Sequence, residues 1–233
     1  KEEQERLKQI KKLSETLQTL GSNEDIELAN KLSESLSDLS IAVRKESFSV
    51  LSKLASGETF GFIPEEDPAK QNSEIDLIKW WIKLQGRKVQ KNIESKLAAI
   101  NAIVEKNKSF ENSEQYKSAI LPIIGYLNDR EVKVREAAFN YLQTLNKDKF
   151  GYVPQTPSKE SLDAIQNWFE VKKELLVISG YEKNLSNGIS QKSHIQDLNK
   201  LYGYLNHKSE EISSKSLSID RKSTRLNSSH GKL

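Results

Sequence analysis

Residues 38–84 read DLSIAVRKESFSVLSKLASGETFGFIPEEDPAKQNSEIDLIKWWIKL, and residues 129–175 read DREVKVREAAFNYLQTLNKDKFGYVPQTPSKESLDAIQNWFEVKKEL. One pattern is written twice. Each stretch opens on Asp, continues through Val-Arg to a Phe-x-x-Leu-x-x-Leu stripe, then to Phe-Gly-aromatic-β-branched-Pro, and ends in a segment carrying Trp. A fixed period inside one chain marks stacked units, none of which buries its apolar face alone.

The offset locates the helices. Asp38 and Asp129 stand 91 residues apart, and Val43/Val134, Arg44/Arg135, Phe48/Phe139, Leu51/Leu142 and Leu54/Leu145 keep that spacing. Phe60/Phe150, Gly61/Gly151 and Pro64/Pro154 are 90 apart, and Ile78/Ile165 and Trp81/Trp168 are 87 apart. The slips fall between helices, where a deletion costs little; within a helix one residue would turn the apolar face off the core. Gly125-Tyr126-Leu127-Asn128 recurs as Gly203-Tyr204-Leu205-Asn206, with His207 and Ser213 in the places of the Asp and the Arg, which reads as a partial third copy.

Apolar residues at spacings of three and four predict helices over about 2–20, 22–36, 41–55, 112–127, 131–146, 158–178, 191–206 and 209–219. Another starts near Ser73. Whether it breaks at Gly86 or runs on into 88–106 stays open, because an isolated Gly costs a helix only ~1 kcal/mol. Pro122 is expected to kink its helix, and the polar stretch Gly180 to Gly188 to interrupt the chain. FGFIP and FGYVP each end in Pro and have no partner run, so no strand is expected. The expected organisation is a first unit over 1–90, a second over 91–180, a partial third over 181–219 and a tail over 220–233.

That tail changes the charge. Residues 220–230, DRKSTRLNSSH, are similar to the translation of a sequencing-library adapter and are set aside with the residues after them. The chain is then read as a window from a longer protein, since it also starts at Lys1. Removing Arg221, Lys222, Arg225 and Lys232 together with Asp220 takes the formal net charge from +3 to zero. The basic balance is therefore no argument for a nucleic-acid partner. The chain has no Cys, which excludes thiolate metal sites, cysteine nucleophiles and disulfides. Apolar residues make up 36% and charged residues 30%, a polar balance that suits an elongated repeat. No apolar run reaches the ~18–20 residues that span a bilayer.

A helix pair with Asp in its turn and Val-Arg early in its second helix resembles HEAT repeats, and Asp38, Val43, Arg44, Asp129, Val134 and Arg135 carry the resemblance. The Phe-Gly-aromatic-x-Pro and Trp features are similar to an extended HEAT-like subtype of large bacterial proteins, many of them exported. Where that subtype has Asp before Pro, this chain has Ile63 and Val153. The resemblance implies an all-α fold, an α-α superhelix of two clear repeats plus the partial third. It implies a scaffold for protein partners, and an Asp–Arg ladder between units.

On this reading Asp38 and Asp129 cap the second helix of each pair. Trp81 and Trp168 plug the seam under loops 56–73 and 147–157, with Phe60, Phe62, Phe150 and Tyr152 packed beneath. Trp80 differs, because its counterpart is Asn167; it is the candidate partner contact. His194 and His207 lack the companions of a catalytic or metal constellation, the runs KEEQER (1–6) and GRKVQK (86–91) read as solvated helix faces, and the Asn107-Lys108-Ser109 tripeptide is discounted as a glycosylation site. The expected function is a non-catalytic scaffold with a protein partner, no cofactor, no nucleic acid and no membrane insertion. The alternatives are a HEAT-like lyase or DNA-repair enzyme, which needs converging ionisable groups, and a nucleic-acid-binding repeat, which needs a basic stripe.

Overall fold

The computed structural model describes residues 2–107, 109–186 and 191–230, with side chains described outside 191–194 and 222–230. Lys1, Lys108, Gly188, the imidazole of His194 and the side chains of 222–233 therefore lie outside the described residues. Among the described residues the fold is all-α, with no strand. The helices are α1 (Glu2–Thr16), α2 (Asn23–Glu34), α3 (Ile41–Leu54), α4 (Asn72–Lys106), α5 (Ser113–Tyr126), α6 (Val132–Leu145), α7 (Lys159–Ser186), α8 (Gln191–Tyr204) and α9 (Glu210–His230).

The question left open at Gly86 is answered, and one expected helix end is corrected. α4 continues through Gly86 and runs 35 residues without interruption. A Cβ at Gly86 would stand 3.4 Å from Ile26 Cγ2, an ordinary contact distance. α7 passes through Gly180 and ends only at Ser186, beyond the expected interruption. Ile178 before the glycine is fully buried, and Tyr181 and Leu185 after it pack on the same core; this burial outweighs the modest propensity cost. Pro122 lies inside α5, which continues past it to Tyr126.

The chain forms two compact units, residues 1–99 with 130–134, and residues 100–129 with 135–233. In the first, α1 and α2 pack on α3. The core joins Ile10 and Leu17 of the α1 segment, Leu32 of α2, Leu36, Val43 and Leu51 of α3, Phe62 of the following loop, and Ile75, Ile78 and Ile82 of α4. Each fully buried aliphatic side chain contributes roughly 1.5–3 kcal/mol. Ser22 and Asp25 form a reciprocal capping box at the start of α2. Asp25 also pairs with Arg130 at 3.0 Å, and Glu131 accepts the Asn23 N–H at 3.0 Å, which ties segment 130–134 into this unit.

In the second unit α5 packs on α7, and α8 and α9 pack on α7 and on each other. Tyr116 of α5 stacks on Phe169 of α7 with centroids 5.5 Å apart. Further along α7, Ile178 joins Leu201 of α8 and Ile212 and Ile219 of α9 in a separate cluster.

The same turn recurs three times. The N–H of Asp38 bonds the carbonyl of Ser35, that of Asp129 the carbonyl of Tyr126, and that of His207 the carbonyl of Tyr204. Asp38 Oδ1 then accepts the Ser40 N–H at 2.8 Å, and His207 Nδ1 accepts the Ser209 N–H at 3.1 Å. His207 performs in the weak third copy the bond that Asp performs in the first.

Candidate functional site

The repeated signature residues meet in one arrangement, built twice. In the first unit Arg44 is 3% exposed. Its Nε donates to the Pro64 carbonyl at 2.8 Å, Nη1 to the carbonyls of Asp38 and Leu39 at 2.6 and 3.1 Å, and Nη2 to that of Glu66 at 3.2 Å. In the second unit Arg135 Nε donates to the Pro154 carbonyl, Nη1 to that of Asp129 and Nη2 to that of Gln155. The planar guanidinium satisfies carbonyls that the turn and the proline-containing loop leave without helical partners. Each arginine therefore fastens the turn before its helix to the loop after it.

This corrects the expected Asp–Arg ladder at Arg44, whose donors all go to main-chain carbonyls of its own unit. Asp38 pairs instead with Arg6 of α1 at 2.8 Å. Ser40, not Asp38, caps α3 by accepting the Val43 N–H, and Asp38 orders that cap through the Ser40 N–H.

The loop is tightened by a strained turn. Phe60 and Phe150 have φ of 54° and 51°, and Gly61 and Gly151 have φ of 76° and 64°. Two successive left-handed residues are the centre of a type I′ turn, closed by Phe62 N–H to the Thr59 carbonyl and by Tyr152 N–H to the Lys149 carbonyl. Glycine adopts this conformation freely, whereas a bulky aromatic does so only when its surroundings hold it there. Here the surroundings are a carboxylate and an indole. Glu58 accepts the Phe60 N–H at 3.1 Å and Asp148 the Phe150 N–H at 2.9 Å. Phe60 lies on Trp81 and Phe150 on Trp168, each with centroids 5.7 Å apart. Beneath, Phe62 packs on Phe48 at 5.1 Å and Tyr152 on Phe139 at 4.7 Å.

The copies differ where the offset slips. The first loop carries a 3₁₀ turn, Pro68–Lys70, that the second lacks. It also holds Gln71, which exchanges two hydrogen bonds with the backbone of Ile63, at 2.7 and 2.9 Å. In the second copy Tyr152 replaces Phe62 and donates its hydroxyl to the Leu127 carbonyl. Arg6, Asp25, Gln71 and Arg130 were not picked out by sequence reasoning, because none of them repeats.

Trp80 stands apart from this framework. It is 59% exposed on α4, next to the half-buried Trp81, and its counterpart Asn167 is exposed as well. Leu77, one turn before it, is also exposed. On the side of α4 that faces α2 an open groove of about 850 Å³ is lined by Ile26 and Asn30 of α2 and by Lys79, Lys83, Arg87 and Lys91 of α4. In the second unit a polar depression of about 660 Å³ is lined by Lys106, Asn107, Glu111, Gln115 and Ser118 among others.

Titration properties follow burial. Burial pushes the Tyr152 phenol up to about 12, against the opposing field of Arg135, and raises Tyr116 and Tyr204 as well. The hydrogen bond from Lys45 holds the exposed Glu65 carboxyl below its usual range. No group of three or more His, Asp or Glu placed to hold a metal occurs among the described residues. No helix among them is long and apolar enough to cross a membrane. Comparison with protein-family models, with curated proteins and with solved structures gave no match.

Proposed function

We propose that this chain is a non-catalytic α-solenoid scaffold of the HEAT-like type that binds another protein. One observation carries the reading. The residues repeated between the two stretches are engaged in holding the fold, Arg44 and Arg135 on carbonyls and Phe60 and Phe150 on tryptophans. Trp80, the most exposed aromatic among the large exposed hydrophobics of the described residues, has no aromatic counterpart and makes no contact in that framework. Trp is among the residue types enriched at contact hot spots, and exposed Leu77 one turn away extends its apolar surface.

The repeated turn at Asp38, Asp129 and His207 supports reading the helices as successive units of one array. The partner is a protein, with no nucleic acid, no cofactor and no membrane insertion called for. The test is affinity capture from cells that express the protein, with wild type and Trp80→Ala side by side. A partner retained by the wild type and reduced about tenfold or more by the substitution supports the reading. Capture indifferent to Trp80, or a chemical turnover that tracks the purified chain, overturns it.

A further inference from the structure

We propose that the groove between α2 and α4 receives an acidic amphipathic helix of the partner protein, an inference that rests on the scaffold reading above. Lys79, Lys83, Arg87 and Lys91 recur every fourth residue, so they form one inclined row along α4. At a rise of ~1.5 Å per residue the row extends ~18 Å, about the length of three helical turns. All four are exposed, and none has a hydrogen bond or ion pair among the described residues. Like charges four residues apart destabilise their own helix, and a line of carboxylates spaced by four on a partner helix would relieve them.

The floor of the groove selects for a protein helix. Gly86 lies beside the row and has no side chain to cover Ile26, whose Cγ2 is 3.4 Å from where a Cβ would be. Ile26 is half-buried and is the apolar side chain of the groove lining, with Asn30 and the cations around it. Trp80, seven residues before Arg87, flanks the same face of α4. This combination fits a helix with acidic residues on one edge and aliphatic residues along its base. The apolar Ile26 in the lining favours a helix with an aliphatic base over a nucleic-acid backbone, which brings only phosphates and sugars.

The experiment uses the full chain and a stapled peptide of about sixteen residues, with Glu at every fourth position and Leu on the adjoining face. Three further ligands are the same peptide with Lys for Glu, the same peptide with Ser for Leu, and an oligothymidylate. We expect saturable binding of the acidic peptide by fluorescence anisotropy, weakened about tenfold or more by the double substitution K83E/R87E and by loss of the peptide leucines. Circular dichroism should leave K83E/R87E indistinguishable from wild type, since both side chains are exposed. Equal binding of the Lys peptide, indifference to K83E/R87E, or tighter binding of the oligothymidylate overturns the proposal. A captured partner that is lost with Trp80→Ala yet kept by K83E/R87E overturns this inference alone and leaves the scaffold reading in place.

Discussion

Arg135 donates to the carbonyl of Pro154, as Arg44 does to that of Pro64, so in both units one guanidinium joins a turn to a loop about twenty residues away. Replacing Arg44 by Ala strands several part-buried carbonyls and should destabilise the fold by ~3 kcal/mol. Lysine retains the charge but not the fork, so Arg44→Lys should still cost ~2 kcal/mol. Urea unfolding monitored by circular dichroism measures both. A near-neutral Arg44→Lys would show that charge, rather than geometry, is what the seat requires.

The left-handed phenylalanine gives an unusual ordering. Phe60→Ala loses the contact with Trp81 and keeps a strained φ of 54°. Phe60→Gly loses the same contact but relaxes the strain. The glycine variant should therefore be the more stable of the two by ~1 kcal/mol, the reverse of the usual order of these residues. If Phe60→Ala unfolds at the higher urea concentration, the strain argument fails.

At Gly86 the space is sufficient for one methyl group, because the nearest atom, Ile26 Cγ2, would lie at 3.4 Å. Gly86→Ala should raise stability by ~0.5–1 kcal/mol through helix propensity alone. A fall in the thermal midpoint would mean that α2 and α4 cannot part even slightly.

Adjacent tryptophans should behave oppositely. Trp80→Ala removes an exposed ring and should change stability by less than ~0.5 kcal/mol. Trp81→Ala empties the seat under Phe60 and should cost ~3 kcal/mol. Comparable losses from both would place Trp80 in the framework and remove it as a contact residue.

Alkaline pH should loosen the second unit. The Tyr152 phenol keeps its proton up to about 12 in the folded chain and loses it near 10 when unfolded. Between those values the unfolded state holds fewer protons, so stability falls as pH rises, by ~1.4 kcal/mol per pH unit for each such tyrosine. Tyr116 and Tyr204, also raised by burial, steepen the fall. Tyr152→Phe should make the slope shallower by the contribution of one group; an unchanged slope in urea titrations across this window would refute the assignment.

Duplication made much of this legible in the sequence. Positions that recur, such as Phe60/Phe150 and Trp81/Trp168, could be placed together before any coordinates, because two copies that agree expose what the fold requires. The acceptors of Arg44 could not, since main-chain carbonyls are present at every residue and carry no label. The left-handed Phe60 contradicts its own preference, and only the neighbouring Gly61 hinted at a turn. The cation row was hidden for another reason. With continuity through Gly86 left open, Lys79 and Lys83 were not joined to Arg87 and Lys91, and GRKVQK read as a solvated face. An uninterrupted α4 aligns all four.

The arginine seat also bears on how such a chain is synthesised. Each guanidinium reaches carbonyls within 22 residues of itself. Contacts this local incur little loop-closure entropy and form early. A ribosome delivering ~5–20 residues per second would release the first knot of turn, helix and loop while the second was still inside its tunnel. Each clasp is thus complete within its own stretch of chain, while the apolar face it serves is covered only once the flanking helices arrive.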